Sequence, residues 1–268
     1  MAAKQEDKRN VLKGRFANLN SADTETGESP LENSLDTLLG IGSKSSVEEV
    51  VMLQASQLYP FGYYDEKRKV LHRYKPYTKD EMAAFAQDIK QNGILQPLIV
   101  RQRKLEEYEI LAGHNRKEGA VLAGLDVIPC FVRDVDDDMA IIIMNTTNLN
   151  QRGELLPSQR AYGYKDQMDA MKRQGKRTDL SEATGKKRTD EIIGELVGEN
   201  RMTIQRYIRL TYLTPGLMEM VDNGTLPIGT AENISHLHKE VQNNIEEMMA
   251  TGGLSLTMAQ SAELKDNL

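Results

Sequence analysis

The sequence predicts an α+β domain followed by an all-helical one. Three observations carry that expectation. Short apolar runs bounded by turn residues, LIVRQ, YEILA and VIPCFV, all lie before residue 155. Capped amphipathic helical stripes alternate with them. After Leu155 no strand pattern recurs, and Pro157 with Ser158 opens a helical stretch that runs on towards residue 250. The chain divides accordingly into an arm over residues 1–49, an α/β domain over 50–155, a helical domain over 156–250 with a helix-turn-helix near 189–210, and a tail over 251–268.

Each element has its own reason. Residues 1–49 contain Phe16 as their only aromatic and are rich in Ser, Asn, Gly, Glu and Asp, so they read as a mobile arm. Within the arm, VLKGRFANL and LDTLLGI are short apolar patches suited to folding on a partner. VVMLQASQL, residues 50–58, reads as one strand and YPFGYY as a loop. Thr78 with Glu81 is a capping box, Met82, Phe85, Ala86 and Ile89 give the apolar face of the helix it opens, and Gly93 ends that helix. LIVRQ and YEILA are strands, Arg116 to Ala123 a helix, VIPCFV a buried strand, and MAIIIMN part of an isoleucine-rich helix. A long helix carrying Tyr162, Met168 and Met171 comes next. Further helices surround LMEMVDNG and TAENISHLHKEV, with Pro215 and Pro227 between them.

Composition bounds the function. The 268 residues are 28% charged and 39% hydrophobic, as in a polar globular protein. No apolar run approaches the roughly 18 residues that a membrane span needs, and MAAKQEDKRN lacks a signal-peptide core, so a cytoplasmic protein is expected. Cys130 is the single cysteine, which excludes an intrachain disulfide framework and reads as a buried strand residue. The formal net charge of −6 argues against a protein that coats nucleic acid over its whole surface, but it hides a local asymmetry. From Lys172 to Arg188 seven basic residues, Lys186, Lys187 and Arg188 among them, face only Asp179 and Glu182.

That basic stretch leads into TDEIIGELVGENRMTIQRYIRL. Ile192, Ile193, Leu196 and Val197 form one apolar stripe, Gly194 is small enough for a second helix to approach, and Gly198 suits a turn at positive φ. Asn200 caps the next helix, whose Ile204, Tyr207 and Ile208 face inward. Arg201, Met202, Thr203, Gln205, Arg206 and Arg209 are left mainly for the outer face. Arg, Gln and Thr are side chains that read base edges and phosphates, so duplex DNA is the expected ligand. An ordinary surface hairpin with solvated arginines is the plain alternative.

A second constellation lies upstream. GILQP leads into a strand, LAGHNRKEGA runs from a strand through Gly113 into a helix, and TNLNQR ends another helix. Strand-to-helix corners of this kind cradle phosphate, with the helix dipole favouring the anion and Arg116 able to chelate its oxygens. Taken alone, Gly113 equally suits a simple turn and Arg116 a surface position.

This triplet followed by a helix-turn-helix resembles the ParB/Spo0J family of DNA-partitioning proteins from about Val50 to Ala250. GILQPLIVR is similar to its GxxQP segment, AGHNRKEGAVLAG to its GERR box, TNLNQRGELLPSQRA to its ENxQR box, and GENRMTIQRYIRLTYLTPGLMEMVDNGTLPIGTA to its helix-turn-helix and the adjoining C-terminal segment. The resemblance implies a nucleoid-associated homodimer that binds a palindromic site in double-stranded DNA, an α/β domain of the ParB/sulfiredoxin kind that binds CTP with Mg²⁺ to close a clamp, and an N-terminal arm that engages a ParA-type ATPase. It places Gly93, Gln96, Gly113, His114, Asn115, Arg116, Asn148, Gln151 and Arg152 at the nucleotide. Lys186, Lys187, Arg188, Asn200, Arg201, Thr203, Gln205, Arg206 and Arg209 fall at the DNA.

Departures from the pattern matter. His114 and Asn115 stand where the GERR box has Glu and Arg, Thr147 stands where a Glu helps to hold the metal, and one extra residue separates Asn148 from Gln151. A lost charge-assisted contact costs on the order of 2 kcal/mol, more than tenfold in affinity. Weakened, altered or lost nucleotide binding is therefore open, with Asn145, Asn148 and Asp138 as neighbouring oxygen donors for a metal. The fold also resembles sulfiredoxin, but position 114 is His where that enzyme's loop carries a reactive cysteine. Two rivals stay open: a helix-turn-helix transcriptional or replication regulator that binds no nucleotide, and an enzyme, a CTPase or kinase, with DNA binding secondary. The stretch 251–268 shows no heptad run for self-association.

Overall fold

The structure is a computed structural model that describes residues 49–62, 65–151, 155–174, 188–252 and 255–267. The stretch read as an arm lies outside the described residues up to position 48. Five strands form one mixed sheet: β1 (Val50–Gln54), β2 (Leu58–Pro60), β3 (Leu98–Lys104), β4 (Glu107–Ala112) and β5 (Val127–Val132). Their order is β1-β5-β3-β4-β2, with β5 parallel to β3, β2 parallel to β4, and the other two pairs antiparallel. Leu98, Val100, Ile110, Ile128 and Cys130 are buried at its centre. Cys130 is thus a core thiol, and burial pushes its pKa up to about 12.

Contrary to expectation, VVMLQASQL is not one strand: a 3₁₀ turn at Ala55–Gln57 splits it, and the two pieces run along opposite edges of the sheet. The Ala55 N–H donates to the Asp126 carbonyl at 2.7 Å, so a long-range contact makes the break. Tyr59 and Pro60, expected in a loop, belong to β2.

Helices α1 (Glu66–Leu71) and α2 (Lys79–Asn92) precede β3, and α3 (His114–Leu122) links β4 to β5. The capping box at α2 is present, with Thr78 Oγ1 accepting from the Glu81 N–H and Glu81 Oε2 accepting from the Thr78 N–H. The bonds that Thr78 donates to Oε2, from its backbone N–H and from its hydroxyl, hold the Glu81 carboxyl below the usual range. Gly93 ends α2 at φ +72°. A Cβ on Gly119 would lie 2.9 Å from Ile89 Cδ1, so that glycine sets how closely α3 packs on α2.

Helices α4 (Asp137–Gln151) and α5 (Pro157–Gln174) lie side by side, and α6 (Thr189–Val197) and α7 (Arg201–Leu210) rest on them. Then come α8 (Pro215–Asp222), α9 (Ile228–Ile234), α10 (Lys239–Ala250) and α11 (Met258–Asp266). Helix α11 lies in the stretch read as a tail and docks on α9, where Asn233 Nδ2 donates to Ser261 Oγ at 3.0 Å. The inward face of α5 is unexpectedly polar. Gln167 donates to Thr146 Oγ1 at 2.8 Å, Gln174 to Asp136 at 2.7 Å and Gln159 to the Arg73 carbonyl at 3.1 Å, so each buried NH₂ group has an acceptor, while Gln167 Oε1 is buried without a donor.

Asp166 on α5 is less well served. Arg73 Nε lies 3.7 Å from its Oδ2, an ion-pair distance without a hydrogen bond, and both atoms are buried. Burial raises the Asp166 pKa to about 6 against the pull of Arg73. A carboxyl whose folded pKa lies above its unfolded one stabilises the fold below about pH 4, and that contribution is lost as pH rises through about 6. The wild-type stability relative to Asp166→Asn should therefore fall by on the order of 2 kcal/mol between pH 4 and pH 7. Urea titrations of both proteins at the two pH values check this; parallel pH profiles would refute it.

Candidate nucleic-acid interface

The helix-turn-helix is built from glycine and packing. Gly198 ends α6 at φ +67°, and Asn200 Oδ1 accepts from the Met202 N–H at 2.6 Å to start α7. A Cβ on Gly194 would stand 2.6 Å from the Glu199 carbonyl oxygen, so only glycine lets the turn lie against α6. Ile204 is fully buried beside it, while Tyr207 lies 5.9 Å from Tyr164 of α5 between ring centroids. Asn150 of α4 donates to the Leu196 carbonyl, and Arg160 of α5 pairs with Glu199 at 3.1 Å. The hairpin is therefore anchored to both helices beneath it.

Its outer side chains are organised by acids that the sequence did not single out. Gln205 Nε2 donates to Asp190 Oδ2 at 2.5 Å, Arg188 Nε donates to Asp190 Oδ1 at 3.3 Å, and Arg201 Nε lies 3.3 Å from Asp190 Oδ2. Arg201 also approaches Glu191 at 3.6 Å. Burial opposes the charge on Asp190, but the hydrogen bonds from Gln205 and Arg188 and both guanidinium charges outweigh it and hold the pKa below the usual range. Arg206 donates to Glu232 of α9 at 2.8 Å, and Arg209 to Ser235 while stacking 4.7 Å over Tyr212. Thr203 is half-buried and Met202 exposed. Lys186 and Lys187 lie outside the described residues. Arg188, Arg201, Gln205, Arg206 and Arg209 thus each lie against a partner on the hairpin or beside α9.

At the upstream corner, Gly113 precedes α3 at φ +103°, and its missing Cβ leaves room for Leu98 Cγ and the Arg116 guanidinium. Arg116 Nη1 donates to the carbonyls of Gln96 and Pro97, both at 2.7 Å. The first two motifs therefore meet, Gly93–Pro97 against Gly113–Arg116. Burial makes the Arg116 cation easier to deprotonate than usual, though an arginine so shifted stays charged at neutral pH. His114 is engaged rather than displayed: its Nε2 accepts from the Phe61 N–H at 3.3 Å, and its Nδ1 lies 3.2 Å from His72 Nε2. Asn115 is half-buried.

The third motif is turned inward. Thr147 donates to the Ile143 carbonyl and Asn148 Nδ2 to that of Met144, while Asn145 Oδ1 accepts from Tyr74 at 2.7 Å. Asp138 pairs with Arg173 at 2.7 Å. Among the described residues no group of three or more His, Cys, Asp or Glu could hold a metal. The Gln151 side chain and Arg152 lie outside the described residues.

Comparison with known proteins matches residues 43–149 to the ParB N-terminal domain and residues 185–263 to the ParB HTH domain. The probable chromosome-partitioning protein ParB of Pseudomonas putida is 27% identical over 232 residues, 86% of this chain and 74% of that protein. Stage 0 sporulation protein J of Bacillus subtilis is 30% identical over 207 residues, 77% of this chain and 63% of that protein. Among solved structures, the C-terminally truncated chromosome-partitioning protein ParB from Caulobacter crescentus, complexed to the centromeric parS site, aligns with a TM-score of 0.53 at 23% identity. The alignment covers 81% of this chain and all of that one, and at that identity it speaks to the fold. No helix among the described residues is long and apolar enough to cross a membrane.

Proposed function

The chain belongs to the ParB/Spo0J family, and on that premise we propose that it is a sequence-specific DNA-binding partition protein, reading a palindromic duplex site as a homodimer through α7 and binding CTP in its α/β domain. The observation that supports this most is the tethered polar face of α6 and α7. Arg188, Arg201, Thr203, Gln205, Arg206 and Arg209 are carried by a hairpin whose angle is set by Gly194, Gly198 and Ile204. A rigid support of this kind is what base readout requires, because a bidentate contact fails when its helix drifts by about an ångström. Duplex phosphates then compete with Glu232 for Arg206 and with Glu191 for Arg201, which makes affinity salt-dependent. Lys186 and Lys187 add phosphate contacts, and the assembled dimer associates with the nucleoid.

For CTP, the N-terminus of α3 and Arg116 fit the phosphates, with Gly93, Gln96 and Gly113 forming the loop around them. The nucleotide would supply the energy and the contacts of clamp closure, while these residues hold its phosphates. Thr147 carries no charge, and Asp138, the carboxylate among the expected oxygen donors, is paired with Arg173, so the residues do not fit Mg²⁺ where the resemblance places it. The same observation favours, as a second reading, a DNA-binding regulator with weak or no nucleotide binding. A ParA-type ATPase engaging residues 1–49 completes the proposal.

The test is unbiased selection from a pool of random duplexes. A recovered sequence with two-fold symmetry supports the reading, and recovery of nothing in common contradicts it.

A further inference from the structure

Asp190 is placed unlike any other acid on this face. It sits in the first turn of α6, where the helix dipole favours a carboxylate, yet it is 5% exposed, with its two oxygens engaged by the side chains of Arg188, the residue that caps α6, and of Gln205 and Arg201. Two of those side chains, Gln205 and Arg201, come from α7. The consequence for Gln205 is stereochemical. A glutamine amide can turn over and exchange its oxygen with its nitrogen, but the Nε2 must face Asp190, since the amide oxygen would meet a carboxylate oxygen and be repelled. The outward positions of Oε1 and of the second Nε2 hydrogen are thereby assigned before any duplex arrives.

We infer that Asp190 is the positioning residue for base recognition, fixing the orientation of the Gln205 amide so that α7 presents one pattern of donors and acceptors to the groove. This rests on the DNA-reading proposal above and adds what sets its specificity. A glutamine reads adenine by donating to N7 and accepting from the N6 amino group, a pairing that works in one amide orientation only. In Asp190→Asn the new amide can donate to Gln205 Oε1, which turns the glutamine over and presents the opposite pattern.

The experiment measures affinity for the duplex recovered by selection and for duplexes changed at each base pair in turn, using the full chain. With Asp190→Asn, discrimination should fall roughly tenfold at one base-pair position in each half-site, or its preferred base should change. Affinity for random duplex should be unchanged or tighter, because a negative charge has been removed beside the phosphates. In a Gln205→Ala background, Asp190→Asn should alter base preference no further. A merely structural Asp190 would instead weaken all duplexes alike. Unaltered base preference in Asp190→Asn, or an equal change in the Gln205→Ala background, overturns the inference while leaving the DNA-reading proposal standing; absence of any preferred duplex for the unmodified chain removes that proposal itself. Should Asp190→Asn melt below the assay temperature, the Gln205 side-chain amide is followed by NMR in the unmodified protein. One of its two protons should be shifted downfield by the carboxylate, free and DNA-bound, and ordinary shifts for both would overturn the inference.

Discussion

Replacing Glu109 with alanine should cost the α/β half about 3–5 kcal/mol. Glu109 is 1% exposed in the middle of β4, and it accepts from Arg101 Nη2 at 2.6 Å, Arg101 Nε at 2.9 Å and the Gly62 N–H at 2.6 Å. Removing the carboxylate strands a guanidinium that is itself 2% exposed, leaving the half-exposed Asp137, among the described residues, to offset its charge. It also orphans the Gly62 N–H, in a turn at φ +75° where a Cβ would collide with the backbone of Lys69. The desolvated partner, more than the lost attraction, carries the cost. Urea denaturation of Glu109→Ala, Arg101→Met and the double variant distinguishes the two contributions: the double variant should be more stable than the sum of the single losses allows, because no charge is left buried alone. A loss below about 1 kcal/mol for Glu109→Ala would contradict this account.

Ile204→Ala should destabilise the helical half by about 2–5 kcal/mol, and Ile204→Val by about 0.5–1.5 kcal/mol. Ile204 is fully buried, and its Cδ1 lies 3.6 Å from where a Gly194 Cβ would be, at the crossing of α6 and α7. Deleting its outer carbons opens a cavity at the point that fixes the angle of α7, so base discrimination should fall along with stability. Urea titration gives the first effect. Duplex affinities measured far below the melting temperature give the second, and a fully retained preference would show that the hairpin angle is set elsewhere.

What could be read in the sequence was what neighbours in the chain decide. The capping box at Thr78 and Glu81, the turn at Gly198, the cap at Asn200 and the apolar runs of β3, β4 and β5 each arise from residues within a few positions of one another. What escaped depends on distant partners. VVMLQASQL has the composition of one strand, and only the bond from Ala55 to Asp126 divides it between two edges. The glutamines of α5 are polar by any scale and are buried because Thr146, Asp136 and Arg73 await them. Asp190 looks like an ordinary first-turn acid until Gln205, fifteen residues on, folds back to it. At the upstream corner the turn at Gly113 was readable from its neighbours, whereas the bonds from Arg116 to the Gln96 and Pro97 carbonyls join distant segments and were not.

Base reading by α7 is measured most directly by the ratio of affinities for the selected duplex and a scrambled one of the same length, at about physiological salt. The expected ratio is roughly 10³ or more, with tighter but less selective binding as salt is lowered. Equal affinity for the two duplexes at every salt concentration would contradict it.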